Sequence, residues 1–172
     1  MQNILGLWLY SLKHYGLMCI LLSSPARLPN HINALALTLG SYFLIGLFLV
    51  DEQRNYLAVF AQILLELLML GLIAYYGLRW KKSLPRFQQT FSALVGINLI
   101  ISVVSIAIYR IVRDYQADSE FLLIYITLII LLWNLAVLSL IFKRSLEIST
   151  HFSAMIAFNY FVLYQFIVYR FY

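Results

Sequence analysis

Five polar side chains set in apolar stretches are where this chain could do chemistry: Gln62, Glu66, Asn98, Asn134 and Asn159. Glu66 is the one ionisable group within 57–78, LAVFAQILLELLMLGLIAYYGL. A carboxyl in such surroundings must be protonated, hydrogen-bonded or turned toward water. Gln62 lies four residues earlier, a neighbour on the same helical face. At 1.5 Å per residue, Glu66 and Asn98 stand about 16–18 Å from one end of their segments, and Asn134 and Asn159 about 12 Å. Pointing inward together, they would form a polar layer. Such a layer could serve a proton or ion relay or a substrate site. Its plainer use is interhelical hydrogen bonding, worth about 0.6–2 kcal/mol per bond in a membrane. A relay needs several ionisable groups along a path, and only Glu66 stands well inside a segment. Structural hydrogen bonding is therefore the leading expectation, with Glu66 uncharged and donating to Asn98 or Asn134.

Enzymatic signatures are missing. The chain has no G-x-S-x-G, no H-E-x-x-H, no G-x-x-x-x-G-K-[ST] and no paired carboxylates inside the apolar runs. Cys19 is the only cysteine, which excludes an internal disulfide and a cysteine-rich metal site. His14, His31 and His151 do not share a helix at i, i+4 spacing, so no metal centre is expected. No catalytic residue, cofactor site or metal site is assigned, and the chain is read as non-enzymatic.

The elements that must position these residues follow from composition. The chain of 172 residues is 63% hydrophobic and 11% charged. No soluble fold of this size hides that much apolar surface, so lipid must receive most of it. A bilayer core of about 30 Å takes about 20 helical residues. Five runs qualify, at about 31–50, 57–78, 87–109, 121–142 and 151–171, and 57–78 with its basic loop is taken as the organising stretch. Before them, residues 1–24 read as an amphipathic helix. Asn3, Gly6, Tyr10, Lys13 and His14 fall on one side, and Leu5, Trp8, Leu9, Leu12, Cys19 and Ile20 fall mostly opposite. A narrow polar stripe beside a wide apolar face suits a helix lying in the interface. Its apolar run is broken by Lys13 and His14, unlike a cleavable signal peptide. Pro25 and Pro29 break that helix, and Asn30 can cap the next. Small residues four apart, Ala36 with Gly40, Ser92 with Gly96 and Ser153 with Ala157, mark expected close helix contacts. The fold class is all-α: a polytopic bundle of five transmembrane helices preceded by an interfacial helix.

Charge sets the orientation. A cytoplasmic amino end puts Lys13, Arg27, Arg79, Lys81, Lys82, Arg86, Lys143 and Arg144 on one side, against Arg54, Arg110, Arg113 and Arg170 on the other. Asp51, Glu52, Asp114, Asp118 and Glu120 join the second group. An excess of Lys and Arg inside predicts amino end in, carboxyl end out. Because the cations sit in short links between apolar runs, the net charge of +5 reports membrane orientation and not nucleic-acid binding. Arg79, Lys81, Lys82 and Arg86 could touch anionic lipid headgroups. Trp8, Trp80, Tyr169, Phe171 and Tyr172 fit aromatic belts.

The order of parts resembles the Yip1-like membrane proteins. The residues that carry the likeness are LLSSPARL at 21–28 and LLWNLAVLSLIFKRSLEISTHFSAMIAF at 131–158. The second is similar to that family's fourth span, short link and small-residue start of the fifth. The resemblance implies an amphipathic segment, a Ser-Pro break and five spans. It also implies a multi-pass protein of the bacterial inner membrane without assigned chemistry. The expected function is membrane organisation, or a subunit that binds a membrane partner or a second copy of itself. The alternative is a transport or channel component using the layer around Glu66. The two differ in one respect: transport requires Glu66 to border a cavity that reaches a surface.

Overall fold

The computed structural model describes residues 4–48, 56–115 and 120–171. Six helices appear in chain order: α1 (Ile4–Cys19), α2 (Ile32–Phe48), α3 (Tyr56–Trp80), α4 (Phe87–Tyr115), α5 (Glu120–Leu146) and α6 (Thr150–Phe171). Short 3-10 turns at Pro25–Arg27 and Leu84–Arg86 precede α2 and α4. Every regular element among the described residues is helical. Four helices, α3 to α6, are long and apolar enough to cross a membrane; α2 is apolar but spans only 17 residues.

The architecture turns on residues 92–99, SALVGINL, which are buried all round the helix. A helix facing lipid on one side cannot do this, so α4 runs through the middle, packing on α1, α2, α3 and α5. The organising stretch is therefore α4 and not the expected 57–78. Small side chains make the close approach possible. A Cβ on Gly96 would lie 2.5 Å from the Tyr15 ring, so glycine is required for α1 to seat there. Ser153 and Ala157 are also buried, with Ser153 Oγ 3.1 Å from Ser139 Oγ across the α5–α6 contact. The third expected pair fails: Ala36 and Gly40 lie on the exposed side of α2.

Element ends differ from expectation at the polar links. The link expected at 110–120 is helical through Tyr115, because RIVRDY contains no glycine or proline to stop propagation. Likewise α5 continues to Leu146, past the expected end at 142. The expected hairpin at 51–55, and residues 49 and 50 of the first run, lie outside the described residues. His31, not Asn30, caps α2: its Nδ1 accepts the Asn33 N–H at 3.3 Å, and its carbonyl accepts from Ala34 and Leu35. Helices α1, α3 and α5 each end on a non-glycine residue at positive φ: Leu21 (66°), Lys82 (53°) and Glu147 (52°). The bonds Leu22 N–H to Leu17 O, Ser83 N–H to Leu78 O and Ile148 N–H to Lys143 O close these left-handed turns.

The reading of α1 changes most. The helix stops at Cys19, and its buried side is Ser11, His14, Tyr15, Met18 and Cys19. Leu5, Leu9 and Ile20, on the expected apolar face, are exposed, whereas His14 of the expected polar stripe is buried. In lipid the usual inside-out rule reverses: apolar side chains can face the solvent and polar ones need protein partners. Tyr15 is fully buried, its hydroxyl 2.6 Å from Ser92 Oγ on α4 and 3.2 Å from Thr38 Oγ1 on α2. The α1 carbonyl of Cys19 accepts from Trp133 Nε1 on α5 at 2.8 Å. Arg144 donates to the carbonyls of Leu21 and Ser23, binding the end of α1 to the base of α5.

Candidate functional site

Glu66 lies on α3 where α2, α4 and α6 converge. Tyr42 Oη donates to its Oε2 at 2.6 Å, and Asn98 Nδ2 donates to its Oε1 at 3.0 Å. Asn134 Nδ2 then donates to Asn98 Oδ1 at 3.2 Å, extending the chain to α5. The amide of Asn98 faces both ways, its nitrogen to the carboxyl and its oxygen to Asn134. This reverses the expected polarity: Glu66 accepts from Asn98 and does not donate to it. Both carboxyl oxygens are placed to accept. Four helices, α2 to α5, are thus joined through one chain of hydrogen bonds.

Gln62 belongs to the same neighbourhood through α6, donating from Nε2 to Tyr164 Oη at 3.1 Å. Asn159 does not. It is exposed, and its amide bonds back to the Met155 carbonyl of its own helix at 2.9 Å. Depth alone suggested Asn159, but it lies two residues past buried Ala157, about 200° round the helix. Three tyrosines were missed: Tyr42 and Tyr160, both buried, and half-buried Tyr164. Tyr160 and Tyr164 stack at 6.1 Å between centroids. The available signal was their position: a tyrosine far inside an apolar run needs a partner for its hydroxyl.

Glu66 forms a wall between two cavities. One, of about 260 Å³, lies between α3, α4, α5 and α6. It reaches from Glu66, Asn98 and Asn134 past Tyr160, Phe161 and Tyr164 to Ser105, Tyr109 and Thr127. Thr127 is exposed, and Tyr109 Oη and Thr127 Oγ1 lie 2.7 Å apart at that end. The other, of about 220 Å³, lies toward α2 and is lined by Tyr42, Gly46, Gln62, Ser102 and Tyr164 among others. Among the described residues, neither lining contains Lys, Arg or His.

The basic loop divides. Arg79, Lys81 and Lys82 are exposed, with Lys81 Nζ 5.0 Å from the Trp80 ring centre. Arg86 is instead paired with Glu147 at 2.7 Å, joining the α3–α4 link to the α5–α6 link. That leaves three of the four expected headgroup cations without an acidic partner among the described residues. On α1, His14 Nδ1 lies 2.9 Å from Ser23 Oγ. Burial holds the His14 pKa below the ordinary histidine range, and the positive charges of Arg27 and Lys13 add to this. Burial also pushes the Cys19 thiol up to about 11, which makes it a poor nucleophile.

No family model, curated protein or solved structure matches the chain. The geometry of the site therefore carries the functional reading.

Proposed function

We propose that this chain is a Yip1-like protein of the inner membrane that crosses the bilayer five times, through α2 to α6, and serves as a transport or channel component. In this reading α1 is docked at the inner leaflet and does not span. The amino end is inside, where Arg79, Lys81, Lys82, Lys143 and Arg144 gather, and the carboxyl end is outside. The observation that favours transport over membrane organisation is the cavity beside Glu66. A dry bundle would need the carboxyl only as a tie between helices. Here the same carboxyl borders a cavity ending at exposed Thr127, at the end of the bundle away from the basic links. A polar group lining a water-filled path costs far less than one sealed in lipid.

The test is solvent access from outside. Ser105→Cys and Thr127→Cys, each made in a Cys19→Ala background, should react in intact cells with a membrane-impermeant thiol reagent. Leu68→Cys, on the exposed apolar side of α3, should not. No reaction at either cavity position would return the chain to the membrane-organising reading.

A further inference from the structure

The cavity poses an electrostatic question that its own residues do not answer. Glu66 offers two acceptor oxygens to Tyr42 and Asn98, and among the described residues no Lys, Arg or His lines either cavity beside it. A carboxyl at this depth with no described cation beside it either keeps a proton or draws in a cation. The walls say which kind. Beyond the carboxylate they present the rings of Tyr109, Tyr160, Phe161 and Tyr164 and the side chains of Ile130 and Leu131. A small inorganic cation such as calcium wants six to eight oxygens at short range. Aromatic rings beside a single carboxylate instead suit a weakly hydrated cation with an apolar body, held by cation–π attraction. The volume, about 260 Å³, falls just below the usual range for drug-sized ligands, which limits the occupant to a small molecule.

We infer that the cavity between α3, α4, α5 and α6 binds a small organic ammonium ion, its charge against Glu66 and its body among the rings of Tyr160, Phe161 and Tyr164. This rests on the accessible-cavity reading above. The ion enters from the Tyr109–Thr127 end, where Thr127 is exposed. Tyr42 from the other side, and Asn98 braced by Asn134, hold the carboxyl group in place before the ligand arrives.

The probe is tetraethylammonium, whose charge does not titrate, and the readout is protection of Ser105→Cys from the impermeant thiol reagent in membrane vesicles. Tetraethylammonium should slow labelling in a saturable way, while sodium chloride at equal concentration should not. Glu66→Gln should weaken protection by about tenfold or more, the scale of one charge-assisted partner. Glu66→Asp should retain part of it. Should Glu66→Gln fail to accumulate, Phe161→Leu decides, because it leaves the hydrogen-bond chain intact; it should weaken protection about three- to fivefold. Labelling that tetraethylammonium leaves unchanged overturns the ammonium assignment and leaves the accessible cavity standing. So does protection that sodium matches, or that neither variant alters. Absence of labelling altogether overturns the cavity reading, and this inference with it.

Discussion

Replacing Gly96 with alanine should unseat α1. The new methyl carbon would lie 2.5 Å from ring carbons of Tyr15, a side chain with no exposed surface and no free direction to move. Overpacking of this kind costs about 1–3 kcal/mol. If the ring swings away, its hydroxyl loses Ser92 and Thr38, at about 1 kcal/mol each. Alanine returns about 1 kcal/mol of helix propensity. The net loss is about 2–4 kcal/mol. Reversible unfolding of the purified protein in mixed micelles, followed by circular dichroism, measures it. The cause is isolated by a double-mutant cycle. With Tyr15→Leu already present, Gly96→Ala should cost less than about 1 kcal/mol, because nothing rigid is left to strike. A Gly96→Ala protein within about 0.5 kcal/mol of wild type would refute the argument. So would an equal penalty in both backgrounds.

Other expectations follow from the same geometry. Glu66→Gln keeps an oxygen for Tyr42 or Asn98, so membrane abundance by immunoblot should stay close to wild type. Glu66→Leu strands both donors at a cost of about 2 kcal/mol or more and should lower abundance; equal levels for the two would mean the bonds carry no stability. His14 has a depressed pKa in the folded state, so the unfolded chain binds the proton first. Stability is then full above the ordinary histidine pKa of about 6.5 and falls as pH drops below it. The thermal midpoint in detergent should fall between pH 7.5 and 5.5, and His14→Gln should flatten that dependence. Lys82→Gly relieves a left-handed residue at the end of α3 and should raise the midpoint, by a gain of up to about 1 kcal/mol. A periplasm-active reporter fused after Tyr172 should be active, and activity only of a cytosolic reporter there would overturn the orientation.

The long apolar runs were legible because hydropathy needs no partner: α3, α5 and α6 start within about a residue of the expected positions. Helix ends were less so. Polarity marks where a chain can leave lipid, but only glycine, proline or a cap ends a helix, and RIVRDY has none of these. The docking of α1 was hidden for a different reason. Tyr15 finds its partners 23 and 77 residues away, and the interfacial reading divided the helix between lipid and water, leaving no side for protein. The site was half legible. Equal depth brought Glu66, Asn98 and Asn134 together, since helices crossing a slab align by depth. Depth carries no azimuth, which is why Asn159 was included wrongly. Tyr42, Tyr160 and Tyr164 were passed over because only carboxyl and amide side chains were weighed as polar groups inside the runs.

The seat of α1 has a bearing on biosynthesis. This helix leaves the ribosome before the helices that hold it: its seat is made from Thr38 on α2, Ser92 and Gly96 on α4 and Trp133 and Arg144 on α5. Until α5 has been threaded into the bilayer, the amino-terminal helix has nowhere to close its polar side. It must wait at the membrane surface with Tyr15 and His14 wetted by headgroups while four further helices, α2 to α5, emerge. Nascent chains arrested before residue 133 should therefore leave α1 open to protease, and chains arrested once α5 has cleared the exit tunnel should protect it.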